Sequence, residues 1–598
     1  MCGISGIISK NKIDKTIIEK ITDKIIHRGP DGFGYYYANN FVFGHRRLSI
    51  VDLSDAGHQP MEYKDRYIIT FNGEVYNHIE LRDELELNGY IFKSHTDTEV
   101  IMASYDFWGV ECLKRFNGMW AFVIYDRLKN KYFMSRDRFG KKPFYYYKNK
   151  DIFVFGSEIK VILSHPDIEA KANLNFLDNY LKYGAKEYIK ETAFENIFRF
   201  DFSSYFEGSL DQLLGDFEQK KFWEIKPNLS NEKFYKEKAK EYANQYYKLL
   251  EDAVRIRLRA DVKVGSALSG GLDSSSIVYL VNKLLKEQGQ EDLQETFSSV
   301  YKSDGTQECD ESYFIDLMAK KLGVNSNQIE PKEEDVPKEH EKVILSMENP
   351  PESTCMSGWH TFKLVSSTNV KVTLDGQGAD EQLGGYLPYL LNYISSLSIF
   401  DIFSQSKKCL QIPNAKKYVF IGFCFGLYRI IFGEKMLKFT SKKLFKRDLD
   451  TSLNQKLAND TMSDLLTLIH YADHTSMAFG IESRMPFMDY RLVEFLASVP
   501  SCYKMRDGWT KYIARLAFDG KLPDEICWRK DKMGWPIPEN HWFRGKLRNW
   551  FIQEVKDSKL VERYDIDIEK ELNSNKSITQ LIRYLNISKF EVFLNRFN

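Results

Sequence analysis

The feature that most constrains this fold is a strand–turn–helix pattern that occurs twice. Asp261-Val262-Lys263-Val264-Gly265-Ser266-Ala267-Leu268 reads as a buried strand. It runs into Ser269-Gly270-Gly271-Leu272-Asp273-Ser274-Ser275, and a helical pattern follows from Ser276 to about Lys286. Val370-Lys371-Val372-Thr373-Leu374 repeats the strand and feeds Asp375-Gly376-Gln377-Gly378-Ala379-Asp380-Glu381-Gln382-Leu383-Gly384-Gly385-Tyr386. Apolar strands followed by glycine turns and helices predict a parallel α/β sheet. Such a turn cradles anions, because backbone amides and the positive helix end face the ligand and glycine permits close approach. No Gly-Lys-Ser/Thr follows, so this is not a Walker loop. Asp273 and Asp380 are expected at strand ends, where two carboxylates suit Mg²⁺ alongside phosphate oxygens. The plain alternative is a pair of solvated turn acids.

A chain of 598 residues exceeds one core, so at least two domains are expected. Short strand-like runs fill the first 160 residues: Ile4–Ser9, Gly34–Ala38, Tyr67–Asn72, Met119–Tyr125, Lys131–Ser135 and Ile152–Gly156. Helical patterns at His78–Asn88 and Asp97–Trp108 lie between them, which predicts two packed sheets flanked by helices. Polar clusters fall in the turns: His27–Gly32, Gly44–Asp52, Asn72–Asn77 and Thr96–Glu99. Each alone reads as a solvated turn.

Cys2 changes their meaning. Without Met1, this residue carries a thiol and a free α-amine. The thiol is a strong nucleophile, and an amine with pKa of about 8 can take its proton and return it. Amide hydrolysis then needs what the clusters supply. Arg47 offers a planar fork for a carboxylate. Glu74 and Asp97 suit an ammonium group. Asn72 and the Gly73 amide suit an oxyanion hole.

Lys+Arg and Asp+Glu are both 84, so no global basic field argues for nucleic acid. The eight cysteines show no Cys-x-x-Cys pair or metal-finger spacing, which predicts reduced thiols in a cytoplasm. A polar stretch, Ser9–Lys12, soon follows the first apolar residues, so no signal peptide is expected. The longest apolar run, Tyr418–Tyr428 with Arg429-Ile430-Ile431-Phe432, is too short and interrupted to span a bilayer. It is expected as a buried or interface helix, with membrane-surface contact the lesser reading.

The first region resembles the class II glutamine amidotransferases, which have an N-terminal-nucleophile fold. The match includes Arg136-Asp137-Arg138-Phe139-Gly140-Lys141-Lys142-Pro143 and Gly156-Ser157-Glu158-Ile159-Lys160. The resemblance implies that Cys2 attacks the glutamine amide, with Asn72 and Gly73 assisting. It places glutamine at Arg47, Ile50, Val51, Asn72, Gly73, Glu74 and Asp97. The Ser-Gly-Gly-Leu-Asp-Ser-Ser string resembles the pyrophosphate loop of ATP pyrophosphatases. That resemblance implies ATP at Leu268, Ser269, Gly270, Gly271, Leu272, Asp273, Ser274, Ser275, Asp375, Gly376 and Gln377, with Mg²⁺ on Asp273 and Asp380. Within Trp528-Arg529-Lys530-Asp531-Lys532-Met533-Gly534-Trp535, Lys532 is the expected phosphate-facing lysine and Lys530 its rival.

In this order the domains resemble the glutamine-dependent asparagine synthetases. The implied architecture is an αββα glutaminase sandwich at 1–195, a linker at 196–235 and a doubly wound parallel-sheet ATP pyrophosphatase domain with helical additions at 236–598. The implied chemistry is ammonia release at Cys2, adenylation of a carboxylate by Mg-ATP, and attack of channelled ammonia on the adenylate. Glutamine, ATP and aspartate are the implied substrates, and family analogy adds a homodimer. Three features depart from the family. Gln377 stands where members proven on aspartate commonly carry Glu, which opens other carboxylates, such as a sugar uronic acid or a peptide, as acceptors. Residues 197–210 lack the usual Pro-Gly turn, and the aromatic-rich insert at 389–447 has no assignment.

Overall fold

A computed structural model describes residues 2–230, 232–289, 294–445, 452–531 and 537–597. The first region contains twelve strands in two antiparallel sheets. The strands are β1 (Gly3–Ser9), β2 (Gly32–Tyr37), β3 (Phe41–Arg47), β4 (Met61–Tyr63), β5 (Tyr67–Val75) and β6 (Gly118–Asp126). They continue with β7 (Lys131–Arg136), β8 (Tyr145–Lys148), β9 (Ile152–Gly156), β10 (Ile197–Arg199), β11 (Ser204–Gly208) and β12 (Lys220–Lys221). One sheet runs β10-β8-β9-β1-β3-β2 and the other β12-β11-β7-β6-β5-β4. Ile4, Ile8, Phe43, Ile68, Val123 and Met134 fill the space between them. Helix Lys15–Asp23 covers one outer face, and helices His78–Leu87 and Asp97–Trp108 cover the other. This is the expected four-layer sandwich.

The stretch expected as linker is different. Residues 197–221 supply β10, β11 and β12, which extend both sheets. The alternating burial of β11, with Ser204, Phe206 and Gly208 inward, is the period-two pattern of a strand with one face on the core. The absent Pro-Gly turn conceals this pattern in the sequence.

The second region is built on a five-stranded parallel sheet of order β15-β14-β13-β16-β17. Its strands are β13 (Val264–Ala267), β14 (Glu295–Ser299), β15 (Asn325–Ile329), β16 (Val372–Leu374) and β17 (Glu482–Arg484). The chain steps outward from β13 to β15, then crosses to the other side for β16 and β17. The strand order therefore reverses between β13 and β16. In doubly wound sheets the crevice beyond the carboxyl ends at that point is where ligands bind. The two glycine turns of the sequence leave these two strands.

The insert is helical, with helices Tyr389–Ser396, Ile399–Cys409, Lys416–Phe432 and Glu434–Phe445. The long apolar run forms the Lys416–Phe432 helix, but only Val419, Gly422 and Gly426 in it are buried. Of the expected buried or interface helix, the buried form is corrected: the glycines pack inward and most large side chains remain partly or wholly open. Among the described residues, no helix is long and apolar enough to cross a membrane, and all eight cysteines are free thiols.

Candidate functional site

Cys2 leads directly into β1, a strand buried along its whole length, so its position is fixed by the sandwich core. Its backbone nitrogen donates to Asn72 Oδ1 at 3.3 Å, and its Sγ lies 3.9 Å from Leu48 O. Arg28 Nε donates to Cys2 O at 3.3 Å. Burial pushes the Cys2 thiol up, and the Glu74 carboxylate adds to this while the Arg47 guanidinium opposes it.

Asn72, Gly73 and Glu74 follow one another on β5. Asn72 is fully buried, with its carbonyl toward Cys2 and its Nδ2 toward Ser157 Oγ at 3.4 Å. Gly73 is required as glycine: a Cβ there would lie 2.1 Å from Met119 O. Asp97 opens the Asp97–Trp108 helix, whose Thr96 cap accepts from Glu99 N. Asp97 Oδ2 accepts from Val75 N at 2.8 Å, which seats it beside Glu74. Burial lifts Asp97 to about 7, and burial with the Asp97 and Glu482 charges lifts Glu74 well above the carboxylate range.

Arg47 Nη1 donates to Ser54 O at 2.8 Å, and Nη2 donates to Asp52 O. The guanidinium thus braces the 48–54 loop and has its remaining N–H donors for a ligand. Ile50 and Val51 sit on that loop, packed against the core of the second region. Asp261 N donates to Ile50 O at 2.8 Å, and Asp52 N donates to Asp261 Oδ2 at 2.7 Å. The structure therefore gathers Cys2, Arg47, Asn72, Gly73, Glu74 and Asp97 around one corner of the sandwich and joins Ile50 and Val51 to the second domain.

The second site lies at the β13/β16 reversal. A cavity of about 370 Å³ is lined by Leu268, Ser269, Gly271, Asp273, Ser274, Asp375, Gly376, Gln377 and Asp380, among others. Ser269 N donates to Ser274 Oγ at 3.1 Å, which ties the turn across its mouth. Gly270 holds φ +74° with Phe314 Cβ 2.7 Å from where its own Cβ would be, so it faces the fold rather than the cavity. Leu272 and Ser275 are buried beneath the turn. Asp375 accepts from Ser483 Oγ and is raised to about 6 by burial.

Asp273 and Asp380 do not lie at strand ends. They occupy the first turns of helices Leu272–Glu287 and Ala379–Leu383, since helix begins within each motif rather than after it. Lys511 brings them together, its Nζ 2.5 Å from Asp273 Oδ2 and 2.6 Å from Asp380 Oδ1. Lys511 is buried, and it escaped the sequence reading because Thr510-Lys511-Tyr512 carries no local signal. Two carboxylates arranged about a cation fit Mg²⁺, which takes one or two carboxylates besides phosphate oxygens. Among the described residues no group of three or more His, Cys, Asp or Glu side chains is gathered for a metal. Lys532 lies outside the described residues. Lys530 Nζ sits 4.4 Å over the Trp509 ring and 3.4 Å from Gln411 Oε1, away from the residues lining the cavity.

Buried ion pairs join the two domains beside the Cys2 site. Arg28 pairs with Glu158 at 3.0 Å and Asp473 at 2.8 Å, and Lys142 reaches Asp473 at 3.1 Å. Arg484 on β17 pairs with Glu482 at 2.5 Å and lies 3.7 Å from Glu74. Its Nη1 donates to the carbonyls of Arg257 and Arg259 at 2.8 and 2.7 Å. Apart from Glu482, these partners are far apart in sequence, so only the His27–Gly32 cluster, which holds Arg28, hinted at them.

Residues 1–223 match the family model described as a glutamine amidotransferase domain, and residues 245–583 match the one described as asparagine synthase. The chain is 30% identical to glutamine-hydrolysing asparagine synthetase 3 of Bacillus subtilis, covering 95% of this chain and 93% of that protein. It is 31% identical to synthetase 1 of the same organism, covering 93% and 90%. A putative asparagine synthetase of Methanocaldococcus jannaschii is 36% identical over 70% of this chain and 80% of its own length. The chain thus belongs to the asparagine synthase family and carries a glutamine amidotransferase domain ahead of the synthetase domain.

Proposed function

We propose that this protein makes a carboxamide from a carboxylate, glutamine and ATP, with aspartate as the acceptor and asparagine as the product. One observation carries the reading: a buried N-terminal cysteine site and an anion-cradling cavity at a sheet reversal lie in one chain whose two domains are joined by ion pairs.

In the first half-reaction, Cys2 Sγ attacks the side-chain amide carbon of glutamine. With Met1 removed, the nitrogen held by Asn72 Oδ1 is an α-amine, placed to take the thiol proton and give it to the departing nitrogen. The C–N bond breaks, ammonia leaves, and water hydrolyses the thioester to glutamate. Asn72 and the Gly73 amide supply oxyanion donors, the Asn72 amide turning its Nδ2 from Ser157 to do so. Arg47 takes the α-carboxylate, and Asp97 with Glu74 takes the α-ammonium. Ile50 and Val51 form the wall nearest the synthetase domain.

In the second half-reaction, an acceptor carboxylate oxygen attacks the α-phosphorus of ATP and pyrophosphate departs. The Ser269–Ser275 turn holds the phosphates, and Asp273 and Asp380 are the side chains that would hold Mg²⁺. That ion supplies charge neutralisation to the phosphate oxygens. Lys511, now between the two acids, is the cation placed to meet the leaving group; Lys532 shares that role in this reading. Ammonia attacks the acyl carbon, AMP leaves, and a proton passes to solvent. The adenylate needs protection from water, and the domain contact supports this. A homodimer belongs to the same reading by family analogy.

Gln377 lines the cavity and is neutral, which favours a second reading in which the acceptor lacks an α-ammonium. AMP and pyrophosphate release, measured with glutamine and Mg-ATP across a panel of carboxylates, tests both. Turnover and asparagine with aspartate alone support the first reading. Glutamine hydrolysis with aspartate inert overturns it and directs the search to uronic acids and peptides.

A further inference from the structure

The helices Ile399–Cys409, Lys416–Phe432 and Glu434–Phe445 leave a large apolar face open. The middle helix meets Tyr389–Ser396 through its glycines. A Cβ on Gly422 would lie 2.9 Å from Leu391 O, and one on Gly426 would lie 3.2 Å from Ile394 O. This close approach is the inner face. Phe420, Cys424, Leu427 and Ile431 recur at helical spacing along another face, and Phe420 and Ile431 are each 69% exposed. Phe400 on the preceding helix is 90% exposed and Phe439 on the following one 66%. The three helices are held together: the Phe403 and Phe423 rings lie 5.2 Å apart, and the Tyr428 and Thr440 hydroxyls are 2.9 Å apart.

Charge says what kind of surface covers them. Residues 399–443 contain nine Lys and Arg against only Asp401 and Glu434, in a chain whose total charge is zero. Lys438 pairs with Glu434 at 2.9 Å and Lys408 with Asp507 at 2.7 Å. Exposed aromatic and aliphatic side chains flanked by lysines suit a helix lying in the headgroup region of a membrane, apolar face down and cations toward anionic lipid. None of the described helices crosses a bilayer, which leaves surface attachment.

We propose that residues 399–443 dock the protein on an anionic lipid bilayer through Phe400, Phe420, Ile431 and Phe439, with the surrounding lysines engaging the headgroups. The occupant is the lipid surface itself rather than a second protein.

Flotation of the full chain with vesicles tests this. The protein is expected to float with equimolar phosphatidylglycerol and phosphatidylcholine, less so at high salt, and to remain below with phosphatidylcholine alone. Phe420→Ser, Ile431→Ser and Phe439→Ser combined should abolish flotation while glutamine hydrolysis continues, which shows the variant folded. Lys417→Gln and Lys435→Gln should each lower the partition coefficient about fivefold. A wild-type chain that stays below with both vesicles overturns the proposal, as does a triple-serine variant that floats equally well. A wild-type dimer that ignores vesicles and becomes monomeric in that variant assigns the face to a protein contact, and also overturns it.

Discussion

Lys511 is the residue on which the synthetase site turns. It is buried and within 2.6 Å of two acids, so its removal leaves Asp273 and Asp380 facing each other in a low-dielectric pocket. Lys511→Met should lower ATP–pyrophosphate exchange by about 10²-fold or more and stability by about 3 kcal/mol. Continued glutamine hydrolysis would show that the chain still folds; unchanged exchange would remove Lys511 from the site. In the other site, Asp97 is held at about 7 by burial. Below that pH it carries a proton and cannot attract an ammonium. We expect kcat/KM for glutamine to rise with pH through about 7 and to level only above about 8, where the α-amine base is also neutral. Ammonia-dependent synthesis should lack this limb once its rate is expressed per free NH3. Stability runs the other way. The folded pKa lies above the unfolded value, so this contribution is complete at low pH and is lost as pH rises through about 7. Asp97→Asn should flatten the decline in a urea-melt series.

At the scale of elements, β17 does more than end a sheet. Its Arg484 compensates Glu482 and Glu74 from opposite domains and satisfies two carbonyls at the end of helix Lys236–Arg257. Arg484→Met leaves those acids buried without their cation, so stability should fall by about 3–5 kcal/mol. Glutamine KM should change as well, because loss of the Arg484 charge pushes the Glu74 carboxyl further up. A variant with unchanged melting and unchanged KM would show that the bridge carries neither load. Most elements are legible in the sequence: the Asp97–Trp108 helix has the bounds its helical pattern predicts, and β5 and β6 contain the expected strand-like runs. Strands β10–β12 are not. They are short, and their pairing partners β8 and β7 lie more than forty residues upstream.

For the whole molecule, the question is whether the two sites work as one. Cys2→Ala should abolish glutamine-dependent synthesis and leave ammonia-dependent synthesis within about twofold, since the nucleophile acts only on glutamine. Asparagine or another amide formed with ammonium chloride is the readout, and loss of both activities would count against separate sites. The Asp261 contacts to Ile50 and Asp52 give a physical route for coupling: the 48–54 loop is shared between Arg47 and the synthetase domain. Glutamine hydrolysis should therefore respond to ATP and acceptor.

The sequence alone determined the chemistry that local order can encode. Cys2 beside a strand, the Ser-Gly-Gly-Leu-Asp-Ser-Ser turn and the Asp-Gly-Gln-Gly turn require their residue types at fixed spacing, because backbone amides and a strand end act over a few residues. Tertiary structure alone decided which distant charges meet. Lys511 with Asp273 and Asp380, Arg28 with Asp473, and Arg484 with Glu74 are contacts made by chain crossovers and domain packing, which no local period records. It also decided that the Lys416–Phe432 helix turns its glycines inward and its phenylalanines outward. Hydrophobic content is the same whichever face is buried, and only packing against Tyr389–Ser396 chooses between them.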